Sequence, residues 1–283
     1  MNPFRYAKNF YSADDLPQQL TWELVLFLLS LFAVMAGLAL VRRAFGEPRR
    51  SSTGTLPPPG LANFERHEAM GRVWHWSLFG MILALWISGA AFYVPGSVRP
   101  MPLGVSWLYV HLAFAFLFIV GTVVHSVHGF MSHLDPRTVW FERHDWQELV
   151  AGVRYYMGLA HEIPKLGKWG VWSKVLHAAL TVLALIVIIS GINLSLDTLG
   201  WAAIDQNWQR RQRLLHDLGA YGFVVLLAAH VFWQLLKARR PQLKSIFTGT
   251  IPAETFRANH DWDRWKPHAV SHDAEARTVQ HGQ

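Results

Sequence analysis

Long apolar runs alternate with polar, arginine-rich segments along the chain. Five runs are long enough to cross the roughly 30 Å hydrocarbon core of a bilayer as helices. Their approximate limits are residues 21–41, 73–94, 107–130, 175–196 and 214–236. Residues 145–156 show the spacing of apolar positions that is typical of a short amphipathic helix. The pattern therefore predicts an all-α integral membrane protein.

The basic residues lie mainly in the loops between the apolar runs. Six arginines separate the first run from the second, and six basic residues lie between the third and the fourth. The positive-inside rule places these loops and the C-terminus in the cytoplasm and the N-terminus outside. Three arginines in the last external loop oppose this bias without reversing it: Arg210, Arg211 and Arg213. Topology thus explains the net charge of +7, and nucleic-acid binding is not needed.

The amino-acid composition excludes several kinds of cofactor site. Hydrophobic residues make up 52% of the chain, with 14 Trp and 17 Phe, and cysteine is absent. Without cysteine there are no disulfides, no thiolate-held iron–sulfur clusters and no covalent c-type haem. The sequence also contains no P-loop, GxGxxG, HExxH or GxSxG motif. Any haem in this chain must be held by axial ligands and packing alone.

Histidines within the apolar runs carry the main functional signal. His216 and His230 lie fourteen residues apart in the last run, so both leave the predicted helix on nearly the same face, ~21 Å apart along its axis. Imidazoles in lipid are costly unless each finds a partner, either on a neighbouring helix or in a metal. The spacing is too long for one metal ion and accommodates two stacked haems, each held by neutral imidazole. We therefore expect one haem near each membrane face.

Depth in the membrane restricts which histidines can share an iron. At the outer level His111 is the partner available for His216. At the inner level four candidates remain for His230, and the residues alone do not separate them: His75, His125, His128 and His177. The fourth run also contains a Ser190–Gly191 pair, whose small side chains permit close approach of helices.

Five short segments resemble the cytochrome b subunit of respiratory formate dehydrogenases. They are WHW at 74–76, YVHL at 109–112, LLHDLGAYG at 214–222, AAHVFW at 228–233 and KSIFTGTI at 244–251. The likeness covers residues 66–265, and the related subunit of membrane-bound nickel–iron hydrogenases shares the four-helix plan. It implies a four-helix di-haem cytochrome b bundle, with His75 and His230 on the inner haem and His111 and His216 on the outer one. It also implies that His125 and His128 lie near the inner haem without binding its iron.

Two features depart from that family. Its loop before the fourth core helix typically reads GKYNAGQK, and an asparagine and a glycine there line a quinone pocket. Residues 167–174 read GKWGVWSK here and lack the asparagine. We expect four other residues to supply the polar contacts to quinone: His177, Lys168, Ser173 and Lys174. The first apolar run is the other departure, since the formate dehydrogenase subunit has no such helix.

These expectations combine into one functional hypothesis. Residues 1–60 form an extra N-terminal anchor helix and linker, residues 61–245 the di-haem domain, and residues 246–283 a cytoplasmic tail with solvated histidines, among them His260. The resemblance implies a membrane-anchoring subunit that passes electrons to quinone from a periplasmic iron–sulfur partner with a molybdenum or tungsten catalytic subunit. The alternatives are the cytochrome b of a nickel–iron hydrogenase or of another molybdoenzyme, and a transporter. Transport is less favoured because the runs show neither breaks nor midplane carboxylates.

Overall fold

The computed structural model describes residues 16–45, 49–91, 107–131, 140–235 and 240–270. Within these ranges the fold is a mostly helical membrane bundle, as predicted. Four helices are long and apolar enough to cross a membrane: α2 (Ala69–Ala91), α3 (Trp107–Met131), α5 (Val171–Thr198) and α6 (Gln206–Gln234). The remaining helices are α1 (Leu16–Phe45), α4 (Arg143–Tyr156), α7 (Arg240–Thr248) and α8 (Ala253–Asn259). Three short strands complete the elements: β1 (Asn63–Glu65), β2 (Thr250–Pro252) and β3 (Ala269–Val270).

The first predicted span lies within helix α1. Its apolar part over the residues with described side chains, Phe27–Val41, is shorter than the four spans named above. Phe27 stacks on Tyr221 of α6 with ring centroids 5.1 Å apart, and its centroid lies 6.5 Å from that of Trp86 in α2. Helix α1 therefore packs on the helices that carry the histidines.

One compact unit comprises the described residues within 1–36, 76–127 and 179–228. Its core forms around Phe118, Ala184 and Phe223, one each from α3, α5 and α6. A Cβ atom at Gly219 would lie only 2.6 Å from Val187 Cγ1, so glycine is what allows α5 and α6 to approach this closely. Small residues at helix contacts are the usual means of close packing in membranes.

The other compact unit comprises the described residues within 37–75, 128–178 and 229–283. In its described part, β1 pairs antiparallel with β2 on one side and β3 on the other. A buried cluster covers this sheet and consists of Phe64, Ile251, Ala253, Phe256 and Trp265. Part of the segment predicted to be a cytoplasmic tail is thus folded against residues 63–65. Strands this short leave little alternating pattern for sequence analysis to detect.

Helix α4 confirms the predicted amphipathic helix, but its charged face is the buried one. Asp145 is 0% exposed and binds the Lys174 ammonium at 2.7 Å, while Glu148 accepts a hydrogen bond from the Val171 backbone N–H at 3.2 Å. Burial raises the pKa of the Glu148 carboxyl. Trp146 and Val150 on the opposite face are 62% and 54% exposed. These polar contacts attach α4 to the first turn of α5.

Two predictions about helix ends and tails were wrong. Helix α6 begins at Gln206, so Arg210, Arg211 and Arg213 lie in the helix and not in a loop. Arg213 pairs with Asp217 one turn later at 3.1 Å. His260, expected to be solvated, is 1% exposed: its Nδ1–H donates to the Gly167 carbonyl at 2.7 Å.

Candidate functional site

The outer pair of predicted ligands meets between two spanning helices. His111 lies in α3 and His216 in α6, with ring centroids 6.2 Å apart and ring planes inclined by 69°. A metal–imidazole nitrogen bond is about 2 Å long, so imidazoles on opposite sides of one iron have ring centres roughly 6 Å apart. The observed separation of 6.2 Å matches this spacing, so the two imidazoles could hold one metal ion between them.

Each imidazole of this pair is hydrogen-bonded through the same nitrogen. Nδ1 of His111 lies 3.0 Å from Ser88 Oγ, and Nδ1 of His216 lies 3.2 Å from Ser190 Oγ. The Val187 carbonyl oxygen is a second neighbour of His216 Nδ1, at 3.0 Å. With Nδ1 protonated and bonded, the lone pair is on Nε2, the nitrogen available to iron.

Glycines bring the supporting helices against both rings. A Cβ atom at Gly89 would lie 3.4 Å from His111 Cε1, and one at Gly191 would lie 3.1 Å from His216 Cε1. The second distance is tighter than an ordinary van der Waals contact, so a side chain at Gly191 would displace the ring. The Ser190–Gly191 pair, predicted only to permit close helix approach, thus also contacts a candidate ligand.

The inner pair, His75 and His230, belongs to the other unit. His75 of α2 is exposed, His230 of α6 is half-buried, and the two are close enough to interact electrostatically. Basic side chains lie around the neighbouring His67, namely Arg66, Arg72 and Lys168, and His75 is also close enough to act on it. Burial lowers the pKa of His67 to about 3, helped by the Arg66 charge, so this imidazole is neutral at physiological pH. Burial also lowers the pKa of the Lys168 ammonium.

The other candidate residues are distributed as follows. His125 and His128 lie in the second half of α3 and are half-buried, whereas Ser173 and His177 near the start of α5 are exposed. The Lys174 ammonium, expected at the quinone, instead binds Asp145 and donates to the Trp140 carbonyl at 3.0 Å. Among the described residues no three His, Asp or Glu side chains converge on a metal site.

Sequence reasoning missed the polar side chains that support these histidines. Ser88 and Ser190 are each 1% exposed, and no composition or motif signal distinguishes them from helix-packing serines. It also missed His260, whose Nε2 accepts a hydrogen bond from the Arg66 guanidinium at 3.1 Å. The extension of the family likeness to residue 265 was the signal that this segment is folded.

Residues 66–249 match the sequence profile described as prokaryotic cytochrome b561. This is more than half of the chain, and it contains both histidine pairs. The chain belongs to the prokaryotic cytochrome b561 family. It is accordingly an electron-transfer cytochrome b of a bacterial membrane that binds b-type haem. No curated protein gives a significant match to this cytochrome b561.

Proposed function

We propose that this cytochrome b561 is the membrane-anchoring, di-haem subunit of a respiratory oxidoreductase. It would carry electrons to quinone from a periplasmic iron–sulfur partner whose catalytic subunit resembles formate dehydrogenase. The cytochrome of a nickel–iron hydrogenase is the main alternative. The observation that supports the proposal best is the pair His111 and His216, with a ring separation of 6.2 Å. Partner, quinone and topology are inferred from the resemblance and from the charge pattern.

Four histidines are assigned as iron ligands. His111 and His216 would hold the outer haem, and His75 and His230 the inner one. When bound, a haem with two axial imidazoles supplies one-electron transfer and has no open position for oxygen or substrate. Neutral imidazole contributes no extra charge to the lipid interior. The protein therefore has to orient these rings and keep their Nδ1 protons in place.

We place the quinone site beside the inner pair, on the cytoplasmic side. His177 and Ser173 are exposed there, and Lys168 follows Gly167 in the same loop. Lys174 belongs to this set by position, although its ammonium is bound by Asp145. Moving an electron inward against an outside-positive potential costs about 2.3 kcal/mol per 100 mV. A strongly reducing donor such as formate or hydrogen meets that requirement.

Haem content tests the ligand assignment directly. The purified chain should show b-type α bands after dithionite reduction, with two haems per chain. Each of His75→Ala, His111→Ala, His216→Ala and His230→Ala should lower this ratio to about one, because one axial ligand is lost. Pyridine haemochrome assay against protein concentration measures the ratio.

His161→Ala is the matched control, since His161 is exposed in a loop and should not affect haem content. A chain that binds no haem would overturn the proposed function. If His75→Ala keeps two haems while His125→Ala loses one, the inner ligand is His125 and the di-haem function stands.

A further inference from the structure

The same local arrangement occurs twice around the outer histidines. Ser88 follows His75 by thirteen residues in α2, and Ser190 follows His177 by thirteen residues in α5. A glycine comes directly after each serine. Each serine then contacts the Nδ1 atom of a histidine in the next helix, at 3.0 Å and 3.2 Å. The two halves of the outer site are therefore built alike.

The hydrogen-bond partners of the serines fix the direction of these contacts. Ser88 Oγ donates to the Ala84 carbonyl at 2.7 Å, and Ser190 Oγ donates to the Ile186 carbonyl at 2.5 Å. A hydroxyl has one proton, so the proton between serine and imidazole must come from Nδ1–H. Backbone carbonyls, which only accept, also hydrogen-bond to the two imidazoles: Leu85 to that of His111, and Val187 to Nδ1 of His216 at 3.0 Å.

We propose that Ser88 and Ser190 are positioning residues that set the tautomer and basicity of His111 and His216. This inference rests on the proposed function, because it assigns a role at the outer haem. A hydrogen bond from Nδ1–H to the serine oxygen holds the lone pair on Nε2 and strengthens the imidazole as a donor to iron. Stronger donation favours ferric iron, so the serines lower the reduction potential of the outer haem.

The alternative role is purely structural. A serine bonded to the carbonyl four residues earlier adjusts the path of its helix, and a small side chain permits close packing. Alanine would preserve the small volume at both positions. Loss of the hydroxyl would then change thermal stability without changing the electronic state of the haem. The two roles therefore predict different spectroscopic results.

The test compares Ser88→Ala, Ser190→Ala and the double variant with the unaltered holoprotein. We expect the reduction potential of one haem to rise and its low-spin ferric EPR g-values to move. The affinity of the protein for that haem should fall by roughly 10-fold or more. The potential of the other haem should stay constant. Ser88→Thr and Ser190→Thr keep the hydroxyl and should retain the original potential. Spectroelectrochemical titration and low-temperature EPR give these readouts.

Ser195→Ala is the matched control, because that half-buried serine of α5 donates to the Ile192 carbonyl at 2.8 Å and, among the described residues, has no contact with an imidazole. If alanine variants do not accumulate, Ser88→Cys and Ser190→Cys replace the hydroxyl with a weak acceptor and should shift the potential the same way. An unaltered protein without haem defeats the proposed function itself. Two haems in the unaltered protein, with potentials and g-values unmoved in the variants, defeat only the role of the serines.

Discussion

Glu148 of α4, outside the spans, is a buried acidic residue with a specific hydrogen-bond partner. Glu148 is 5% exposed, and its carboxylate accepts from the Val171 N–H, while Arg50 and Arg264 attract its charge. The pKa of Glu148 is nevertheless raised, so burial outweighs these favourable interactions. The charged form therefore costs free energy of folding at neutral pH.

Removing that charge should stabilise the protein. Glu148→Gln keeps an acceptor for the Val171 N–H, and we expect stabilisation of roughly 1 kcal/mol at pH 7 to 8. The folded state binds the Glu148 proton more tightly than the unfolded state, so stability falls as pH rises from the ordinary glutamate pKa through the raised one. Below the ordinary glutamate pKa the variant should be no more stable than the unaltered protein. Thermal unfolding in detergent from pH 4 to 8 measures this.

Glu162→Gln provides the comparison, because its pair with Arg49 is exposed and contributes little. An equal gain at pH 4 and pH 8 for Glu148→Gln would contradict the electrostatic explanation.

The sequence predicts candidate ligands but not the residues that hydrogen-bond to them. His111 and His216 follow from depth in the membrane, and the structure places their rings 6.2 Å apart. The roles of Ser88 and Ser190 could not be predicted, because a serine hydroxyl in a spanning helix can also donate to a backbone carbonyl of its own helix. Whether a side chain reaches a residue of the next helix depends on how the helices pack, and the sequence pattern of one helix does not show this.

Secondary-structure elements follow the hydrophobic pattern wherever a long apolar run defines them. The predicted start of α3 at Trp107 is the observed one, and the amphipathic helix predicted over 145–156 is observed as α4 (Arg143–Tyr156). Helix α6 begins earlier than predicted because charged residues can continue a helix beyond the apolar segment, helped by the Arg213–Asp217 pair. Hydropathy therefore predicts the apolar part of a helix better than its end.

The attachment of α4 to α5 depends on the pair Asp145 and Lys174. Lys174→Ala would leave the fully buried Asp145 carboxylate without its ammonium partner, and we expect a loss of about 3–5 kcal/mol. The double variant Asp145→Asn with Lys174→Met should recover part of it, because no uncompensated charge remains. Thermal midpoints in detergent measure both.

Lys266→Ala removes one side of the exposed pair with Asp263, whose atoms are 3.9 Å apart, and should change stability little. A Lys174→Ala protein as stable as that control would show that the buried pair does not hold α4.

At the scale of the whole molecule, the distribution of basic loops predicts the orientation in the membrane. Because the chain has no cysteine, one introduced thiol reports on one position. Ala203 follows α5 in an exposed segment, and Ser52 is exposed in the arginine-rich segment before α2. We expect Ala203→Cys to react with a membrane-impermeant maleimide in intact spheroplasts, and Ser52→Cys to react only after permeabilisation.

The reverse labelling pattern would invert the proposed topology and move the quinone site to the periplasmic face. Labelling of both thiols in intact spheroplasts would instead indicate leaky membranes, which a cytoplasmic marker protein controls for.

The outward apolar face of α4 has a consequence for handling the protein. Trp146 and Val150 form an exposed apolar surface on a helix that does not itself span the membrane. In aqueous buffer, exposure of this apolar surface to water costs free energy in proportion to its area. A micelle or nanodisc that covers only the membrane-spanning helices would therefore leave this apolar surface exposed. We expect the purified protein to aggregate through it.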